Sequence, residues 1–423
     1  MNKRLIGILV FAFVAAIALS AYAEVQNVKV GGDITVLGIS RDGFNLAKPK
    51  ENASILAHIA KVKFDADLTD AVVATMVLRN EGVWGASTRT TTGDADVDLA
   101  AAYITLKEFL NEKVTVKAGK MPVKLGSGFI VGDPSTNQTA GGGPFDPGYG
   151  DLSSRKSFTG ALGIVDLSPF KITAGALKVA EGSTNNTKDD VNAYVLSGAY
   201  DTGKKGTVLE ATYVGAQIHK GEISNYSGRI VSAPVENLST SAEVVYQTQK
   251  GIRSNDKKAS SDTGVLLTGT YGFPEVKMSP TLGLIYLRVS DNWDSMFEDL
   301  TAGDIINALL PLTDTQAISA SVTAKPIEDV VAKLSYTNAR LITAVSALPG
   351  WVGDGATPAY TYAMTEKKDL GNELDLDLIY NYTEDVQMGL KLGCFLPGKA
   401  FDKDDGCARK SASQVIGSMK VTF

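Results

Sequence analysis

The 423-residue chain is poor in the residues on which most site chemistry depends. It has only two cysteines, Cys394 and Cys407, and two histidines, His58 and His219. Two cysteines rule out a disulfide-built scaffold. Neither histidine has a Cys, His or carboxylate neighbour at metal-ligand spacing, so no zinc site and no other metal is expected. No G-x-S-x-G, P-loop or dinucleotide fingerprint sits between a strand and a helix. Gly141-Gly142-Gly143 runs straight into Pro144, which makes it a loop and not a phosphate cradle. No nucleophile with its base is visible. The chain is therefore read as neither an enzyme nor the holder of a cofactor. Past residue 23 no apolar run reaches about 18 residues, so a second spanning helix is excluded.

What the chain does have is concentrated first at its ends. Asn2-Lys3-Arg4 is a short basic start, Leu5 to Leu19 is apolar or small throughout, and Ala21-Tyr22-Ala23 precedes Glu24. That order reads as a cleavable secretory signal over residues 1–23, with an N-terminal anchor as the less favoured alternative. With Lys3 and Arg4 removed, 39 basic residues face 47 acidic ones, a net charge of −8. This argues against a nucleic-acid partner, which requires a basic face. At the other end Val415, Gly417, Met419, Val421 and Phe423 alternate with Ile416, Ser418, Lys420 and Thr422. This is a period-2 strand with one apolar face that runs to a terminal aromatic. It resembles the closing strand by which bacterial outer-membrane barrels are recognised for insertion, so Phe423 is read as an insertion signal for the barrel-assembly machinery.

The interior repeats the same alternation, the dyadic pattern of a wall with lipid on one side and water on the other. Leu374, Leu376, Leu378, Tyr380 and Tyr382 take the lipid face while Asp375, Asp377 and Asn381 take the other. Across the whole chain the pattern predicts 18 strands, starting near residues 28, 55, 71, 97, 113, 157, 170, 191, 206, 227, 239, 263, 277, 315, 329, 372, 386 and 413. Eight connections are short: Thr69-Asp70, Phe109–Glu112, Leu167–Pro169, Asp201–Lys205, Pro234–Leu238, Phe273–Glu275, Pro326–Asp329 and Thr383–Asp385. The long ones, Gly126–Ser154, Asp291–Asp314, Leu341–Gly371 and Pro397–Ala412, alternate with them. Short turns on the periplasmic side and long loops outside are the pattern of an outer-membrane barrel. The expected fold is thus an all-β, antiparallel up-and-down transmembrane β-barrel over residues 24–423. Its expected location is a Gram-negative-type cell outer membrane, with outer-membrane lipid as its surroundings.

The chemistry of such a chain lies in its lumen. By parity the inward cations are Lys61, Lys63, Arg79, Lys117, Arg229, Arg288, Lys333 and Lys391, and the inward acids are Asp65, Asp67, Glu81, Glu210, Glu243, Asp375 and Asp377. Rings of one sign set selectivity, and a balanced set predicts little unless the charges segregate. Tyr103, Tyr194, Tyr213, Tyr246, Tyr336, Tyr380 and Tyr382 are candidates for the membrane interfaces, although β-propensity alone also enriches Tyr. Whether Cys394 and Cys407 form a disulfide stays open; the alternative is that Cys394 is a small lipid-facing residue. His58 and His219 are read as surface residues. In 291–310, Met296, Phe297, Leu300, Ile305, Ile306, Leu309 and Leu310 recur at helical spacing. An external cap is preferred there over a helix inside the pore.

Several stretches resemble the bacterial alginate-export porin family. They are Lys61–Asp70, Ala102–Gly126 with Lys117–Met121 inside it, Ser227–Ile230 followed by Glu243 and Tyr246-Gln247, and Asn372–Tyr382 followed by Leu396-Pro397-Gly398. The resemblance implies an 18-stranded outer-membrane barrel that passes small or linear polar solutes. Where the family tends to carry G-R-Q, this chain has Gly119-Lys120-Met121. That difference and the mixed lumen favour a general porin for hydrophilic solutes or saccharides over a dedicated exporter of a polyanionic polysaccharide. The other function class is a structural or adhesive barrel with a plugged lumen.

Overall fold

The computed structural model describes residues 27–46, 52–85, 97–135, 149–180, 190–218, 221–251, 260–344, 362, 364–401 and 410–423. The expected leader at 1–23, His219 and Cys407 lie outside them. Alternating sequence of the kind read above forms strands because successive side chains point to opposite faces. The strands are β1 (Asn27–Asp42), β2 (Asn52–Thr69), β3 (Val72–Val83), β4 (Asp98–Leu106), β5 (Val114–Met121), β6 (Phe158–Leu167), β7 (Phe170–Ala180), β8 (Val191–Asp201), β9 (Val208–Ile218), β10 (Gly221–Ser232), β11 (Leu238–Lys250), β12 (Ser260–Gly272), β13 (Thr281–Val289), β14 (Thr315–Ile327), β15 (Val330–Leu341), β16 (Asp369–Asn381), β17 (Val386–Pro397) and β18 (Ala412–Thr422). Each pairs antiparallel with its sequence neighbours, and β1 pairs with both β2 and β18. The 18 strands therefore close on themselves with no free edge, which satisfies every ladder without water.

Closure is finished by the chain terminus. Phe423 and Gly32 exchange backbone hydrogen bonds of 2.8 and 3.0 Å. Gly32 is required there, because a Cβ would stand 2.9 Å from the Phe423 ring and 2.3 Å from the Lys61 carbonyl.

The strand starts fall close to their expected places, with two informative exceptions. β10 begins at Gly221, six residues before the expected start, because Glu222, Ser224 and Asn225 are polar on both faces and hide the alternation. β13 begins at Thr281, after the expected start, because Met278 and Ser279 have positive φ and Phe273 N–H closes a turn on the Pro280 carbonyl at 2.8 Å. All eight short connections join strands as expected.

The two faces differ as the pattern requires. On β16 Leu374 is 51% exposed, whereas Glu373 and Asp375 on the opposite parity are buried. The buried polar residues lie inside the barrel and the exposed large apolar ones form a belt outside it.

Candidate functional site

An 18-stranded wall encloses more space than its own side chains fill, and two chain segments occupy part of it. One follows β5 and carries Val123, Phe129, Ile130 and Val131, all buried. The other links β13 to β14 and contains the short helix α1 (Asp304–Leu309), with Trp293, Met296, Phe297, Ile305, Ile306 and Leu309 buried. The segments knit to each other through a parallel bridge at Val131 and Phe297. Phe297 N–H donates to the Ile130 carbonyl (3.1 Å), and Gly132 N–H donates to that of Phe297 (2.7 Å). Together with inward residues such as Val195, Val214, Ile223, Val245, Leu266 and Leu287 they form one apolar cluster inside the barrel. The wall makes room for them at Gly264, where a Cβ would meet Phe129 at 2.7 Å and Trp293 at 2.9 Å.

The preference for an external cap at 291–310 is thus overturned. An irregular backbone inside a barrel needs hydrogen-bond partners, and inward polar side chains of the wall supply them. The Gln247 amide donates to the Asp294 carbonyl (2.9 Å) and accepts from Asp294 N–H (2.8 Å). Gln249 donates to the Asn292 carbonyl, and Thr337 to that of Ala302. Glu373 accepts the N–H groups of Ile305 and Ile306 at 2.6 and 2.7 Å, capping the first turn of α1. Lys391 grips Asp304 at 2.6 Å.

Charges seal the join between the two segments. Asp299 takes Lys124 at 3.0 Å and Arg155 at 2.7 Å, and Arg155 also lies 3.8 Å from buried Asp133. Burial works against ionisation of Asp299, but the hydrogen bonds from Lys124 and Arg155 outweigh it and hold the carboxyl below its usual range. Glu298 beside it is wholly buried and accepts the Leu300 N–H at 2.6 Å; burial pushes its carboxyl up to about 8. Burial also raises that of Asp133.

Most of the expected lumen residues lie on the inward face of the wall. Glu210, Arg229 and Glu243 stand in register on β9, β10 and β11, with Arg229 2.6 Å from Glu210 and 3.8 Å from Glu243. Glu243 also accepts Ser127 of the first infolded segment (2.5 Å). Lys63 pairs with Asp65 (2.7 Å), and Arg79 with Glu81 (3.4 Å). Asp67 pairs with Lys29 (3.8 Å), and Lys391 reaches Asp377 (3.6 Å). Asp375 is buried on the same face. Among the described residues Lys61, Lys117 and Lys333 make no ion pair. Lys117 lies 5.9 Å over the ring of Tyr103, which faces inward and so is not part of an interfacial girdle.

Arg288 is a correction. It shares its parity on β13 with Leu282 and Leu284, both exposed on the outer wall, and therefore points away from the lumen. An arginine near a strand end can reach the headgroup layer, so its charge does not force it inside. Cys394 is a free thiol exposed on the outward face of β17, opposite Leu374, which gives the lipid-facing reading and not a disulfide. His58 also faces outward, bonded to Asn80 (2.6 Å) and to the indole N–H of Trp84 (2.8 Å).

Sequence reasoning missed Arg41, Lys124, Arg155, Gln247 and Gln249. Arg41 forms a buried pair with Asp151 (2.6 Å) and lies over Phe44. The only signal in the sequence was the inward spacing of Gln247 and Gln249, which marks a polar face without saying what it binds.

A cavity of about 480 Å³ opens between the upper ends of β3–β7 and the first infolded segment, with Arg79, Lys120 and Lys156 among its lining. Arg79 also faces Asp98 at 3.6 Å, and Lys120 donates to the Leu99 carbonyl at 2.6 Å.

No protein-family model matches the chain, and no curated protein matches it. Solved structures do. Pseudomonas aeruginosa OccK2 (OpdF) in complex with glucuronate superimposes with a TM-score of 0.59 at 12% identity, over 94% of this chain and 99% of that one. The P. aeruginosa OpdK structure with vanillate gives 0.57 at 10% identity, over 93% and 99%. Acinetobacter baumannii OccAB4 gives 0.59 at 11% identity, over 95% and 100%. At these identities the likeness is one of fold: a closed 18-stranded barrel of the kind seen in outer-membrane proteins.

Proposed function

We propose that the protein is an outer-membrane channel for small hydrophilic solutes, narrowed by its two infolded segments and biased toward carboxylates. The observation that carries this reading is the closed wall with an apolar exterior and a charged, hydrogen-bonding interior. Such a wall is stable only with lipid outside and water or solute inside.

The bias toward anions has its own support. Six of the seven expected lumenal acids lie within 4 Å of a cation, whereas Lys61, Lys117 and Lys333 have no acid that close among the described residues. The 480 Å³ cavity lined by Arg79, Lys120 and Lys156 is of small-molecule size. Two of the structures of like fold carry glucuronate and vanillate, both carboxylates. The ordered segments resembling alginate-export porins support the same architecture, and Lys120 in place of an arginine favours a general channel over a polysaccharide exporter. The leader at residues 1–23 would direct the chain across the inner membrane, and Phe423 would engage the insertion machinery.

The test is recording in planar bilayers under a salt gradient. Open-channel steps with an anion-selective reversal potential, blocked by glucuronate, are expected. Replacing Lys61, Lys117 and Lys333 by Glu should invert the selectivity; an unchanged potential would sink the anion bias. The large apolar cluster inside the barrel favours a second reading, a plugged structural barrel. That reading requires no conductance from the intact protein and conductance once the β13–β14 segment is removed.

A further inference from the structure

The outer wall carries a feature that a uniform lipid belt does not need. Hydrogen-bond register arranges the outward residues of β12–β16 in rows. Gly269, Leu284, Ala320, Tyr336 and Leu374 form one row. Around its small residues, Gly269 and Ala320, the wall sinks into a groove of about 570 Å³, flanked by Tyr271, Leu284, Tyr336 and Leu374. The lining is almost wholly apolar, and a Cβ built at Gly269 would meet nothing within 4 Å.

Two rows further toward the long-loop end stand Arg288, Gln316 and Arg340, one on each of three adjacent strands. With strands about 4.8 Å apart, the two arginines are roughly 10 Å from each other. Between groove and arginines, β15 and β16 carry Asn338 and Asn372, while β13 and β14 carry Tyr286 and Ile318. Asn338 and Tyr336 both donate to the Asn372 side chain, at 2.9 and 2.6 Å. This marks the level at which the wall leaves the hydrocarbon, since amphipathic and polar side chains gather at that boundary.

Arg340 donates to Gln316 at 3.0 Å, and Arg288 has no hydrogen-bond or ion-pair partner among the described residues. Their neighbours by register are Val265, Gln316 and, for Arg340, Asp369, whose carboxylate is turned to the Lys399 N–H. No acid of the wall therefore answers Arg288. A guanidinium held at the headgroup level without a protein partner is matched by a phosphate, which it binds through paired hydrogen bonds. Such a charge adds directly to membrane attraction.

We propose that β12–β16 form a specific site for a phosphate-bearing lipid of the extracellular leaflet, whose acyl chain lies in the groove while Arg288 and Arg340 hold its phosphate. This rests on the outer-membrane reading only for which side of the wall meets lipid. A second copy of the chain is the less favoured occupant, because the row of arginines offers a protein surface no acidic counterpart of its own.

The experiment is native mass spectrometry of the full chain refolded in detergent with lipid A, with bilayer conductance measured on the same preparations. The wild type should retain lipid A. The double variant Arg288→Gln/Arg340→Gln should retain it about tenfold less, from loss of a charge-assisted hydrogen bond. Gly269→Leu, which fills the groove without touching the phosphate site, should lower retention as well. Conductance should be unchanged in both, because none of these residues faces the lumen; conductance lost in every preparation would strike the channel reading and leave the lipid result standing. Equal lipid retention by the wild type and both variants would overturn the site. A change in the mass of the assembly on Gly269→Leu, with lipid count unaltered, would overturn it in favour of contact between copies.

Discussion

At the scale of single residues, the inward side chains divide by what they bind. Gln247 serves the backbone of an infolded segment, accepting from and donating to the same residue, Asp294. Gln247→Leu keeps the volume but leaves a buried N–H and carbonyl unmatched, at a cost of roughly 2–3 kcal/mol. The expected outcome is a lower urea midpoint for the folded barrel in detergent, with noisier single-channel current as the segment loosens. Cys394 offers a check on the wall itself. As a free thiol on the outward face beside Leu374, it should react with a lipid-soluble maleimide and resist a charged, impermeant one. Equal labelling by both would place it in water.

At the scale of elements, the segment between β13 and β14 is held to the wall by apolar packing, side-chain hydrogen bonds and ion pairs and not by a strand ladder, so it can be released without opening the barrel. Glu298 makes that hold sensitive to pH. Its carboxyl is raised from 4.5 to about 8 where the segment packs, so the packed state binds a proton that a released segment would not hold at neutral pH. The stabilisation is complete below about 4.5, declines as pH rises from there to about 8, and changes no further above it. Conductance should therefore grow over that interval, and Glu298→Gln, which can still accept Leu300 N–H, should flatten the growth. Cutting the segment out between Ser290 and Asp314 and bridging the ends with a short linker should give a larger, pH-independent conductance at any pH where the barrel survives.

At the scale of the whole molecule, closure and charge act together. Raising ionic strength from about 0.1 to about 1 M shortens the screening length from roughly 10 to roughly 3 Å. A selectivity set by unpaired lysines around an open lumen should fade over that range while the channel stays open. Selectivity that persists at high salt would instead point to short-range contact, as in the cavity that Arg79, Lys120 and Lys156 border.

The sequence by itself determined the wall. Alternation and turn chemistry are local properties, so β16 and β17, with Asp375 and Asp377 facing inward and Leu374 outward, were legible residue by residue; stretches polar on both faces such as Glu222–Asn225, and the positive-φ turn at Met278 and Ser279, escaped. It also marked most of the inward charges, because parity carries that information along a strand. Only the tertiary structure decided what fills the lumen. The apolar spacing of Met296, Phe297, Ile305, Ile306 and Leu309 is the same for a cap outside as for a plug inside. The choice depends on Gln247, Gln249 and Glu373 of distant strands standing where the segment's backbone needs partners. Arg288 shows the same limit from the other side: the alternation read along the sequence assigned it to the lumen, but the pairing of its strand with β12 and β14 turned it to the outer wall.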